Sequence, residues 1–321
     1  MFLRILFALA VAAAGAPFAL AQSYPTKPVR VIVTFPPGGT PDIYGRVMSV
    51  ELSKLWNQPV VVENRAGAGG TIGTEYVVKA APDGYTLLFA ADATITIAPH
   101  LYSKLPYDPV RDLAPIVNVT AGPFVLMANP AFAPNNVKEL IALVQTQPGK
   151  VSYASSGAGG QQHLAMEYIR TLAGSMDMIH VPYKGFGQGL ADVLANQVPL
   201  IFGGITASIQ LTRSGKLKAL GVTGPRRAKA LPNVPAIAET LPGFDITAWY
   251  GFMAPAGTPR EIVKKIHDDS VAIIKRPDFL ERLDRDGIEP VGNTPEEFAA
   301  QIRTDLAHWA KIVKSAGAKL D

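Results

Sequence analysis

Short valine-rich runs alternate with amphipathic stretches along this chain, and clusters of glycine mark the changes between them. "PVRVIVTF" (28–35) ends at Pro36-Pro37-Gly38-Gly39 and predicts a strand buried in a parallel sheet. Pro41 and Asp42 then open a helix, because proline suits the first helical position and an acid suits the positive helix end. Ile43, Val47, Val50 and Leu55 recur at helical spacing and predict its buried face, while Asp42 can pair with Arg46 one turn on. "QPVVVEN" (58–64) predicts a second strand, "RAGAGGTIG" (65–73) a loop, "TEYVVKAA" a helix and "DGYTLLFAA" (83–91) a third strand.

The same order returns further on. "KVSYASS" (150–156) predicts a strand, "GAGG" (157–160) a loop and "QQHLAMEYIRTLAG" a helix. "MDMIHVPY" (176–183), "KGFGQG" (184–189), "LADVLANQ" and "VPLIFGG" (198–204) complete a second β-Gly-α-β-Gly-α-β unit. The two units share an order of elements and little sequence, so the chain is expected to be α/β, with two doubly wound α/β lobes. Ligands of open α/β sheets bind at the carboxyl ends of the strands, where these glycine loops fall. Two segments, 111–130 and 243–259, should cross between the lobes, with the helices after about residue 259 packing on the first lobe. The expected division is a leader over 1–21, a first lobe over 22–124 plus 250–321, and a second lobe over 125–249. Two lobes joined by two crossover strands form a hinged clamp around a cleft.

Composition narrows the setting. "MFLRILFALAVAAAGAPFALAQ" has one basic residue, an apolar run and a small-x-small end at Ala19-Leu20-Ala21, which predicts a secretory signal peptide cleaved after Ala21. Gly15 and Pro17 interrupt the apolar stretch and no basic flank follows it, so cleavage is expected over a membrane anchor. There is no cysteine, which excludes both disulfides and a lipid-modified cysteine. The formal net charge is +4, and +3 once Arg4 is removed with the leader. The basic residues are scattered, with "GPRRAK" (224–229) their densest group, whereas nucleic-acid binders concentrate theirs in a stripe. That cluster is expected to be a solvated turn, and no nucleic-acid partner is expected.

The glycine loops could hold a nucleotide, but the spacing argues against it. GxGxxG would require glycine where Ile72 and Gln162 stand, and no GK[ST] occurs. There is no GxSxG elbow, and the five histidines (100, 163, 180, 267 and 308) are too dispersed for metal-ligand spacing. His180, within an apolar strand, reads as a satisfied core residue. His163 opens a helix beside a glycine loop and serves either in packing or in touching ligand. Residues 35–42 and 154–164 contain no Lys or Arg. An anion held there must therefore be met by backbone N–H groups, by the hydroxyls of Thr40, Ser155 and Ser156, and by helix-start dipoles, with Gly39 and Gly160 giving it access. Binding without turnover, with no cofactor and no metal, is the economical expectation. An exported serine hydrolase using Ser155 or Ser156 with His163 is the alternative from another class; a receptor signalling to a membrane kinase would look the same in sequence.

"FPPGGTPD", "VVENRAGAGGTIGTEYVVKAAPDGYTLL", "LPYDPVRDLAPI", "HVPYKGFGQGLADVLANQV", "SGKLKALGVTGPRR", "LPNVPAIAET" and "WYGFMAPAGTP" together resemble, in order and over nearly all of the chain after the leader, the solute-binding proteins of tripartite tricarboxylate transporters, the Bug family. The resemblance implies a periplasmic receptor with the type II periplasmic binding protein ("Venus flytrap") fold, monomeric, handing a small mono- or dicarboxylate, aromatic ones included, to the membrane permease subunits of such a transporter. It implies that one carboxylate is held between the loop from Phe35 through Gly38 to Asp42 and the loop from Ser155 through Gly159 and Gln161. Ala91, Asp92 and Thr94 would contribute from the first lobe, and Gly204 and Thr206 from the second. The chain departs from the family where many relatives carry an acid that suits a ligand amine: here Phe202-Gly203-Gly204 stands. That argues against an amino acid as ligand. Asp92 stands where relatives often have a small or apolar residue, and it either accepts a hydrogen bond from the ligand or caps the next turn. Trp249 and Tyr250, on the return crossover, are expected to pack at the hinge.

Overall fold

The computed structural model describes residues 24–174 and 176–320, so the expected leader and its cleavage site lie outside the described residues. Apolar runs bounded by glycine and proline form the first β-α-β-α-β unit: β1 (Val29–Val33), α1 (Thr40–Trp56), β2 (Val60–Asn64), α2 (Thr71–Val78) and β3 (Thr86–Ala91). A wide turn over Ala93–Ile97 leads into α3 (Ala98–Leu101) and then the long strand β4 (Leu113–Ala128). Next come α4 (Val137–Thr146) and the second unit: β5 (Ser152–Ser155), α5 (Gln161–Leu172), β6 (Ile179–Pro182), α6 (Phe186–Leu194) and β7 (Leu200–Gly204). α7 (Ile205–Arg213), β8 (Lys218–Val222), β9 (Thr247–Pro255), α8 (Arg260–Ile274), α9 (Pro277–Asp286), β10 (Glu289–Pro290) and α10 (Pro295–Ala316) complete the chain.

Strand order runs β2-β1-β3-β9-β4-β7-β5-β6. The triplet β2-β1-β3 is parallel throughout, and β6-β5-β7 repeats it with the same order and sense. Every residue of β3 is buried, as expected of a strand covered on both faces. β9 and β4 lie antiparallel to one another from Leu113↔Pro255 to Pro123↔Thr247, so the two expected crossovers are neighbours and share one ladder. β4 continues past this pairing to join β7 and β8, and thus belongs to both sheets.

Two expectations need correction. The buried face of α1 is Tyr44, Met48, Leu52 and Trp56 with Gly45, while Val50 and Leu55 are exposed. Tyr44, Met48, Leu52 and Trp56 repeat every fourth residue and form the buried stripe, and Gly45 lets the helix approach Val33 and Phe89 closely. The last helix does not keep to the first lobe. Phe298 and Ile302 of α10 join the core around β3, but Trp309, Ile312 and Val313 pack among Leu164, Ile169 and Phe244. Its apolar stripe is long enough to serve both halves.

Candidate functional site

Five helices, α1, α2, α5, α6 and α7, begin at a glycine: Gly39, Gly70, Gly160, Gly185 and Gly204. None has a side-chain cap, so the first-turn N–H donors that Ser, Asp or Asn would satisfy are left to other partners. The starts of α1, α5 and α7 border a single cleft of about 740 Å³, and α6 adds Phe186 to its wall.

Strand register brings these ends together. Ala91, the last residue of β3, pairs with Tyr250, and Phe124 of β4 pairs with Gly204 at the end of β7. A Cβ on Gly204 would stand 3.8 Å from Thr40 Oγ1, the two coming from opposite units. The Tyr250 hydroxyl neighbours the Thr40 side chain, and Gln161 Nε2 donates to Asp92 Oδ2. Gly204, Thr40, Tyr250, Asp92 and Gln161 thus form a chain of neighbours around one point of the cleft.

Of the residues expected from the sequence, Phe35, Gly38, Gly39, Thr40, Ala91, Ser156, Gly159, Gly160, Gln161, Gly204 and Thr206 line the cleft. Asp42, Asp92, Thr94, Ser155 and His163 stand behind its wall. Asp42 is buried and spends its carboxylate internally, accepting from Arg46 Nε (2.9 Å), Asn64 Nδ2 (2.8 Å) and the Gly38 N–H (3.0 Å). Burial raises its pKa, but those three partners outweigh it and hold the group below the ordinary value. Asp42 therefore fixes the glycine loop. Asp92 is 1 % exposed; burial, with Asp305 nearby, pushes its carboxyl well above the usual range, and bonds from Ala93, Trp249 and Gln161 only partly oppose this. Thr94 is fully buried and donates to the Ala91 carbonyl.

Ser155 is fully buried too, and its hydroxyl lies 2.7 Å from His180 Nε2. His163 is bound to neither serine. Its Nδ1 accepts from the Gly159 N–H, and its ring stacks on His180 with centroids 4.0 Å apart. Burial, then the neighbouring His163, lowers the His180 pKa to about 4. Ser156 does face the cleft, but its partner is the Gln162 side-chain oxygen. The Ser–His pairing that the hydrolase alternative needs is thus not the one formed. Ser155 pairs with a different histidine, behind the wall.

The sequence reading missed the remainder of the lining. Tyr250, assigned to packing, reaches the cleft, whereas Trp249 is buried and donates to Asp305 Oδ2 (2.9 Å). Ile97, Leu101 and Tyr102 arrive on the wide turn and α3, and Leu320 on the segment after α10, tied back by its N–H to the Leu101 carbonyl (3.0 Å). Among the described residues, no side chain lining the cleft carries a formal charge. The GPRRAK turn lies elsewhere, beside a second hollow of about 460 Å³, with Arg226 paired to Glu289 and Arg227 to Glu239. Among the described residues no cluster of acids, histidines or cysteines could hold a metal ion, and no helix is long and apolar enough to cross a membrane.

A family model described as the tripartite tricarboxylate transporter family receptor matches residues 44–318. BugT of Bordetella pertussis is 36% identical over 315 residues, which is 97% of this chain and 96% of that one. Among solved structures, a Rhodopseudomonas palustris protein with adipate superposes with TM-score 0.85 at 31% identity, covering 92% of this chain and all of the other. MatC of the same organism, with bound malate, gives TM-score 0.80 at 31% identity, covering 90% of this chain and 100% of its own.

Proposed function

The chain belongs to the tripartite tricarboxylate transporter receptor family, and on that premise we propose that its cleft captures a small carboxylate for delivery to the membrane permease of such a transporter. The observation that carries this reading is the convergence of three glycine-started, uncapped helices on a cleft whose described lining residues have no formal charge. A cation is not needed to hold a carboxylate there. Each helix start contributes about 0.3–1 kcal/mol, up to ~2 when partly buried. Each charge-assisted hydrogen bond from a main-chain amide adds about 1.5–3 kcal/mol. Together these reach the roughly 8 kcal/mol of a micromolar complex, against which ordering and desolvation costs must be set.

The two solved relatives with adipate and malate support a carboxylate ligand. Phe202-Gly203-Gly204, with no acid in the stretch, argues against an amine on it. We place the first lobe at 22–124 with 250–321, its last helix α10 also packing on the second lobe at 125–249, and assign Gly39, Thr40, Gly160, Gln161, Gly204 and Thr206 to direct ligand contact. The ligand touches both sets of loops only when the lobes are closed, so it shifts an open–closed equilibrium, and the permease reads the closed shape. The receptor acts as an exported monomer. Thermal shift against a panel of carboxylates tests this: stabilisation should grow as RT ln(1 + [L]/Kd) and vanish when the carboxylate is replaced by its primary amide. Equal stabilisation by acid and amide would sink the proposal.

A further inference from the structure

The cleft has one polar pole and one apolar pole, and this sets the class of acid it takes. The polar pole is the ring of neighbours from Gly204 through Thr40, Tyr250 and Asp92 to Gln161, into which all three helix starts feed. The other pole is built by Ile97, Leu101, Tyr102 and Leu320. Leu320 is locked there in two ways: its N–H bonds to Leu101, and a Cβ on Gly159 would stand within 3.1 Å of both leucine side chains. The Tyr102 hydroxyl is already engaged, donating to the Ala68 carbonyl (3.1 Å) beside Gly69 at the cleft wall. A second carboxylate would therefore meet hydrocarbon, with no charged group to pair with among the described lining residues, and would lose its hydration uncompensated.

Resting on the carboxylate reading above, we propose that the ligand is a monocarboxylate with an apolar body, acid end at the helix starts and body against Ile97, Leu101, Tyr102 and Leu320. Leu320 is then a specificity-determining residue contributed by the segment that follows the last helix. Methyl and methylene groups buried at that wall add affinity in proportion to apolar area removed from water, whereas an acid at the same position subtracts it.

The test is calorimetry of the full chain with two matched pairs, hexanoate against adipate and 4-methylbenzoate against terephthalate. Each pair exchanges one methyl group for a second carboxylate. The methyl-ended acid should bind at least about tenfold more tightly in whichever pair binds, a difference of ~1.4 kcal/mol. Leu320→Lys, at a half-buried position on the edge of the second core, should reverse the preference by supplying the missing counter-charge. Tighter binding of the diacid by the unaltered chain overturns the proposal while leaving the carboxylate receptor intact. Binding of none of the four acids overturns both. A preference unchanged by Leu320→Lys removes Leu320 from the site.

Discussion

A side chain at position 39 or 160 would find room in the free protein and none in the bound one. Both glycines have negative φ and extended ψ, and a Cβ would come no nearer than 3.7 Å to other atoms at Gly39 and 3.4 Å at Gly160. Gly39→Val and Gly160→Val should therefore abolish carboxylate binding in calorimetry with little change in melting temperature. Gly70 is the contrast. With φ +96° and Thr94 pressed against the position of its missing Cβ, Gly70→Ala should cost about 1–3 kcal/mol in a denaturant melt. Asp92 tests the electrostatics behind the wall. Its pKa is raised in the folded chain, so its contribution to stability is complete below the unfolded value near 3.8 and is lost as pH rises through the folded one. Asp92→Asn, which keeps an oxygen for Gln161 but cannot ionise, should raise the melting temperature relative to the parent at pH 7 and lose that advantage at pH 4. The sequence showed the cleft glycines because glycine loops punctuate apolar strands. It could not show that Asp42, Thr94 and Ser155 turn inward, since side-chain direction at a loop end follows from backbone angles that no period encodes.

Among the elements, the repeated β-α-β-α-β units were legible because buried parallel strands read as short valine-rich runs and glycines bound them. The order β2-β1-β3 and its repeat β6-β5-β7 then follow from short right-handed crossovers. The helix α10 was less legible. Its stripe looks like an ordinary amphipathic face, and nothing in Phe298, Ile302, Trp309 and Ile312 reveals that the first two and the last two enter different cores. That division makes the helix a strap between the halves. Trp309→Ala should remove about 3–5 kcal/mol of stability by chemical denaturation, well beyond the ~1 kcal/mol expected from deleting the Thr294 cap on the same helix. If both substitutions cost the same small amount, α10 is not anchored in the second core.

At the scale of the molecule, β4 and β9 run side by side between two copies of one topology, and the cleft opens where the strands of both copies end. The apolar pole escaped sequence reading because it is assembled from places far apart in the chain, a wide turn near residue 97 and the segment near residue 320. The central claim is that main-chain amides at three helix starts grip the acid. Backbone amide NMR during titration with a binding carboxylate tests this most directly. The account predicts large downfield proton shifts at Thr40, Gln161 and the α7 start, Ile205 and Thr206, as these N–H groups donate to a full negative charge. Saturable binding that leaves those amides unmoved and perturbs a lysine or arginine side chain instead would contradict it.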